Sequence, residues 1–424
     1  MVTYRVSAGQ RGAATLIVVM ALFLVMALLA AYANRGLLFE QRIAGGYFRA
    51  SLSQEVSEAG IEWALAQLNG TAVDAVCRPA ATGGTRFVDR YLQINAQTRQ
   101  MTPASLAVLA DCRRDAANQG WSCRCPAAGG WTAPAAAAGS GINASFGVLM
   151  AAGPRPGTIT VNSRGCTDSV VANCYGSAVS NSVSQLAHTT DSAMLAFVSA
   201  VRTPPAAALI ASGLVDSQGA GLGLHNSDPR SAGALLISGG ARSGLLDARM
   251  DSIPGTEPNQ AMRSEDPKTA SADLLWTFLG SSKAAYKRHP ALRTVACDGD
   301  CGPALAAAYA AGKRIVWIDG PLSLTSSQTL GSPTDPMVIV ADGAVSLDGP
   351  MQINGLLVAL GRLDWSNSSG MPSRIAGAVV VQGDVATQGA VDIVYQASIA
   401  DLLRNRVGGF VRVPGGWIDW GVAL

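Results

Sequence analysis

Apolar and polar positions fall into three successive patterns along the chain. From Ala13 to Ala33 there are 21 positions without a charge, bounded by Arg11 and Arg35. As a helix rising 1.5 Å per residue this run spans about 31 Å, close to the hydrocarbon thickness of a bilayer. Beyond it Phe39, Ile43, Phe48, Leu52, Val56, Ala59 and Trp63 recur mostly every three or four residues, with polar residues between them. That spacing predicts an amphipathic helix running on to Leu68 and stopped by Asn69-Gly70. Gly45-Gly46 interrupts the pattern at about 1 kcal/mol per glycine relative to alanine, as a tolerated weak spot or a flexible joint.

The third pattern is short apolar runs separated by turn residues. Ala144–Met150 and Thr158–Val161 alternate as strands do. Further on, glycines 343, 349, 355 and 361 are six apart, and the interval recurs at 377, 383 and 389, offset by 34. Between them lie Val345/Leu347, Ile353, Leu356–Val358 and Ala378–Val381. Fixed spacing of this kind predicts stacked parallel coils as in a β-helix, against the alternative of an antiparallel meander with glycine turns. Gly233–Ser238 and Lys313–Leu324 would add earlier coils, and Asp273–Tyr286 and Ala304–Ala311 read as helices. Cys125–Gly141 is low-complexity and reads as an exposed loop.

The N-terminal run has two readings. Ala30-Ala31-Tyr32-Ala33 has the form of a signal-peptidase site, but a secretory apolar region is usually about 7–15 residues and opens into a polar segment. Here the helix pattern continues, which favours an anchor that is retained. The chain has eight cysteines, Cys77, Cys112, Cys123, Cys125, Cys166, Cys174, Cys297 and Cys301, none of them before residue 77. An even number confined to the region beyond an apolar N-terminal segment predicts disulfides formed in an oxidising compartment. Proximity favours Cys166–Cys174 and Cys297–Cys301. The other four pair among themselves, with Cys123 and Cys125 too close to join each other.

Composition narrows the class further. Charged residues are 14% and the formal net charge is +2, which gives no field calling for nucleic acid. Abundant glycine and small apolar residues suit a turn-rich β protein. The motifs of common hydrolases, zinc proteases and phosphate loops are absent, and the three histidines (188, 225, 289) lie in unremarkable settings. The expectation is therefore no enzyme and no cofactor. The cysteine spacings do not suit a metal; the one cation candidate is Asp298-Gly-Asp300, whose two carboxylates fall short of calcium's six to eight oxygens. Asp342, Asp348 and Asp364 are the residues to inspect for a carboxylate cluster of a polysaccharide-acting β-helix.

Gln10-Arg11-Gly12 followed by Ala13-Ala14-Thr15-Leu16-Ile17-Val18 resembles a prepilin peptidase site, with cleavage between Gly12 and Ala13. The stem from Phe39 to Asn69, with Arg42, Ala44-Gly45-Gly46 and Glu58-Ala59-Gly60, is similar to the N-terminal domain of PilX-type minor pilins. Phrases near the C-terminus, among them Trp317–Leu324 and Val413–Trp420, resemble large members of that family more loosely. Major pilins carry a glutamate at the fifth mature position, where this chain has Ile17. PilX-type proteins and GspK-type capping pseudopilins commonly have an apolar residue there.

The resemblance implies a type IV pilus minor pilin acting in assembly and located near the fibre tip. Its membrane helix, Ala13 through Ile17 and Leu22 to Ala33, would cross the inner membrane of a Gram-negative bacterium once. The remainder would be periplasmic and later displayed on the pilus. Implied partners are other minor pilins and the major pilin through that helix, prepilin peptidase and a tip adhesin. The alternatives are a GspK-like cap of type II secretion and a membrane-anchored surface adhesin. The expected fold is α+β: a leader over 1–12, a pilin helix over 13–69, a cysteine-rich α/β domain over 70–190 and a β-rich domain over 191–424.

Overall fold

The computed structural model describes residues 11–74, 77–80, 83–104, 110–114, 121–125, 144–168, 171–174, 186–219, 221–325 and 327–419. Gln10, most of the low-complexity stretch after Cys125 and Trp420 lie outside the described residues. Mixed helix and strand, opened by one long helix, match the coarse expectation.

Helix α1 spans Arg11–Leu68, 58 residues, and continues unbroken through Gly45-Gly46. No proline precedes Pro79, and Ala and Leu are the commonest residues, so nothing ends it before Asn69-Gly70. From Ser53 onward one stripe is buried: Val56, Ser57, Gly60, Ile61, Ala64 and Leu68. Steps of one, three and four keep these residues on a single face.

That stripe packs on a six-stranded, wholly antiparallel sheet. Its order is Gly408–Ile418, His188–Ser199, Thr158–Cys166, Ser145–Ala152, Ala110–Arg114, Trp121–Arg124. Phe146, Val148, Ile159, Val161 and Leu195 meet the helix in one apolar core with Phe87 and Phe410. The expected division at 190/191 falls inside the strand His188–Ser199, and the last strand returns from the far end of the chain to the sheet's edge.

Between these strands the chain builds two sheets paired only in parallel. The six-stranded one runs Arg242–Ser243, Val215–Gln218, Val385–Gly389, Leu363–Asn367, Val345–Asp348, Leu322–Leu324. In the larger one Ile315–Ile318, Met337–Ala341, Gln352–Ala359 and Arg374–Val381 lie side by side. No antiparallel pair occurs between the described strands of this region, so the meander alternative fails.

Two sequence textures follow from what covers each sheet. Those four strands of the larger one are buried on both faces. Ile339, Leu357 and Val379 face an inner core, while Val338, Leu356 and Val380 face a second core with the helices Leu274–Leu279 and Ala397–Asn405. These strands are therefore continuous apolar runs. The smaller sheet buries one face, and Val345–Asp348 alternates buried and exposed.

The glycine interval is shorter than a coil. Register pairs Gly355 with Gly377 and Val345 with Leu363, offsets of 22 and 18, while the offset of 34 aligns no stacked pair. Six residues is the distance between successive corners within one coil. Gly355 and Gly377 have φ of 148° and 132°, and a Cβ on Gly377 would collide with the Gly355 carbonyl oxygen. Only glycine fits this corner.

The stack is also out of chain order. Val385 and Val391 pair with Val215 and Leu222, so the final coil lies on the first one made. The chain begins in the middle of the stack at Leu209–Ala211 and proceeds to Met262–Arg263. It then passes the helices near 267–286 and winds back from Leu292 to close the seam.

Candidate assembly surface

The outer part of α1 is bare. Ile17 is 67% exposed and Phe23 74%, and Leu22 and Ala33 are likewise exposed. One 18-residue window within Ala14–Leu68 is apolar enough to cross a membrane, and none of it is buried. Gly12 is helical and exposed; Ala13 is helical. Phe39, Ile43 and Phe48 continue the apolar stripe but stay exposed, whereas Leu52, Val56, Ala59 and Trp63 pack on the sheet. The amphipathic pattern thus has two fates along one helix.

A polar joint fixes where the bare part begins. Ser53 Oγ lies 2.8 Å from Thr189 Oγ1, and Gln54 Nε2 donates to Asp191 Oδ1 at 3.1 Å. Ser57 Oγ donates to the Ser163 carbonyl at 2.9 Å and accepts from the Asp191 N–H at 3.2 Å. Burial raises the Asp191 carboxyl above its ordinary value, and the bonds from Ser57 and Gln54 offset part of this. The helix approaches so closely that a Cβ on Gly165 would overlap the Ser53 carbonyl oxygen, and one on Gly60 the Ser163 hydroxyl.

The stem motif separates in space. Gly60 provides close approach, and Ala59 packs at the edge of the core. Glu58 is exposed, 3.4 Å from Gln54 Nε2. Arg42 and Gly46 are exposed and Gly45 is half-buried, with nothing within 4 Å of a Cβ at either glycine.

The cysteines pair as Cys77–Cys125, Cys112–Cys123, Cys166–Cys174 and Cys297–Cys301, with Cα separations of 5.3, 4.0, 6.0 and 5.2 Å. Both local pairs read from proximity are present. Cys112 and Cys123 face each other across neighbouring strands, which sequence spacing could not reveal.

The cation candidate does not assemble. Asp298 is exposed, and Asp300 Oδ1 accepts from the N–H groups of Gly302 at 3.0 Å and Thr325 at 3.1 Å. Among the described residues no three His, Cys, Asp or Glu side chains form a metal-holding group. The three aspartates to be inspected do not converge either. Asp342 pairs with Lys283 at 2.5 Å, Asp348 accepts from Ser366 at 2.7 Å, and Asp364 pairs with Arg362.

Sequence reasoning missed a cluster at the seam of the stack. His225 Nδ1 is 2.8 Å from Asp251 Oδ2 and its Nε2 is 3.3 Å from Asp392 Oδ1, which also accepts from Arg249 at 2.7 Å. The bond to Asp392 raises the histidine's pKa despite its desolvation, and the same bond lowers that of Asp392. These residues belong to three successive coils, and only the register brings them together. His289 is buried; desolvation lowers it to about 4, and its Nε2 donates to the Val198 carbonyl at 3.2 Å.

No protein-family model matches the chain, and no curated protein matches it. Two chains among solved structures match. One is the crystal structure of an ice binding protein from an Antarctic bacterium Flavobacteriaceae, with 14% identity and a TM-score of 0.22. The match covers 47% of this chain and 50% of that one, so it spans half the length of that protein. A likeness at this TM-score carries no argument about fold or activity.

Proposed function

We propose that the chain is a membrane-anchored pilin-like subunit, a PilX-type minor pilin that acts in fibre assembly. One observation carries this reading: a single helix bare and apolar at its outer end and locked to an antiparallel sheet at its inner end. Burying the exposed side chains from Leu16 to Leu29 in lipid or among neighbouring helices is favourable by about 25 cal/mol per Å². The inner-membrane bilayer would satisfy that surface before assembly. Helices of other minor pilins and of the major pilin would do so afterwards, with Phe39, Ile43 and Phe48 extending the contact.

Ile17 presents no carboxylate to a neighbouring subunit's N-terminal amine, which suits a rare subunit better than a repeated one. The bulk carried beyond α1 suits a place at the tip. We read the parallel stack as a β-helix, because coil offsets of 18 and 22 with glycine corners are what such a winding requires.

The test is mass spectrometry of the mature N-terminus in cells with and without prepilin peptidase. The reading expects a chain beginning at Ala13 only when the peptidase is present. Cleavage after Ala33, or an intact N-terminus in both strains, sinks it.

A second reading, an anchored surface adhesin, is favoured by one feature. The open face of the smaller parallel sheet carries a shallow groove of about 180 Å³ lined by Asp216, Ser346, Asp364, Ser366 and Gln388. Polar side chains in regular rows suit a hydrated ligand such as a glycan. Retained pilus assembly in a deletion strain, with loss of surface attachment alone, would favour it over the first.

A further inference from the structure

A cleft of about 520 Å³ opens where the antiparallel sheet meets the side helices of the parallel stack. Four arginines from four separate segments line it: Arg99 from the turn before Met101–Pro103, Arg202 after His188–Ser199, Arg288 after the helix Lys283–Tyr286, and Arg404 in Ala397–Asn405. Phe197, Leu279 and Val411 supply apolar wall, and among the described residues no Asp or Glu lines the cleft.

Several arginines elsewhere in the chain have carboxylate partners. Arg86 pairs with Asp89 and Asp335, Arg230 with Asp401 and Arg249 with Asp392. None of the four cleft arginines forms an ion pair among the described residues. Arg99 is held by neutral acceptors alone, the Asn405 side-chain oxygen at 3.2 Å and the Arg404 carbonyl at 3.0 Å, with its guanidinium carbon 5.9 Å from the Phe197 ring centre.

Construction of the cleft points the same way. Arg99 has a left-handed backbone, φ 59°, which costs a non-glycine residue on the order of 1 kcal/mol and is uncommon outside turns. Asn95 holds it there, its Oδ1 accepting from the N–H groups of Gln97 at 2.9 Å and Thr98 at 2.8 Å. The stem of Arg202 lies against Gly280, where a Cβ would strike it. Burial, and after it the charge of Arg404, depress the pKa of Arg99.

We propose that this cleft binds a compact oxyanion of two or more charges, a phosphate ester or a polycarboxylate, held by Arg99, Arg202, Arg288 and Arg404. Planar guanidinium groups pair with either in two-pronged fashion, and both ligands fit the volume. Bound there, the ligand would link the sheet that carries α1 to the stack. The proposal does not depend on the pilin reading, since it concerns the globular part alone.

The experiment is calorimetric titration of the full chain in detergent with inorganic pyrophosphate and with citrate, at matched ionic strength. Saturable one-to-one binding is expected, weakened about tenfold or more in the double variant Arg288→Gln/Arg404→Gln. Arg374→Gln, on the stack away from the cleft, should bind as the unmodified chain does. Preference for pyrophosphate assigns a phosphate ester, preference for citrate a polycarboxylate, and equal binding supports the shared chemistry. Absence of saturable binding by both probes overturns the proposal, as does equal affinity in the double variant. If the double variant fails to fold by its thermal midpoint, the exposed single change Arg288→Gln decides on the same criterion with at least a threefold loss.

Discussion

Asn69 and Phe410 exchange two hydrogen bonds: the Asn69 amide donates to the Phe410 carbonyl at 2.9 Å, and its oxygen accepts from the Phe410 N–H at 2.7 Å. The residue that ends α1 thereby holds the last strand of the chain. Asn69→Ala leaves both backbone groups of Phe410 without these partners. It should lower stability by about 2 kcal/mol, read by urea unfolding, with early fraying of 408–418 in hydrogen exchange.

Close approach at Gly165 predicts a larger effect. Gly165→Val places a branched side chain against the Ser53 carbonyl and the Ser57 amide of α1. Separation of helix from sheet should cost about 3 kcal/mol or more, whereas Gly46→Ala, in open space, should be neutral or slightly stabilising. Comparable losses in the two variants would refute the close-packing account.

Asp111 is buried, and neither carboxylate oxygen has a hydrogen-bond partner among the described residues. Burial raises its pKa from 3.8 to about 6, against the lowering influence of Arg113 and Arg124. A raised folded-state pKa means that this group's contribution is fully present below pH 3.8 and is lost as pH rises through about 6. Asp111→Asn should therefore flatten the fall in stability between about pH 4 and 6 and gain about 1–2 kcal/mol at pH 7. Thermal midpoints across that range check it.

The seam should have its own pH signature. His225 has a raised pKa, so its contribution is complete below 6.5 and lost as pH rises through the higher folded value. Asp392 has a lowered pKa, so its contribution is present above 3.8 and lost as pH falls through the lower folded value. The contacts of Asp251, His225 and Asp392 should then be strongest between those limits. His225→Gln should remove the alkaline loss and weaken the acid-side loss, which then rests on Arg249, read as amide exchange at Leu222–His225 and Val391–Val394.

Local pattern alone determined α1 and its end, the apolar runs of the doubly covered sheet and the two short-range disulfides. Residues a few positions apart decide each of these, through helix periodicity, strand alternation or loop closure. The glycine interval could not give the coil length, because six residues is a corner-to-corner distance while stacking is set by coil lengths of 18 and 22. What only tertiary structure decided joins distant segments: the coil of Val385 on that of Val215, Phe410 returning to Asn69, His225 between two aspartates, and four arginines around one cleft. The free energy of such contacts depends on register and approach after the chain has closed on itself. The sequence states neither, since any coil with the same apolar faces could have stacked on any other.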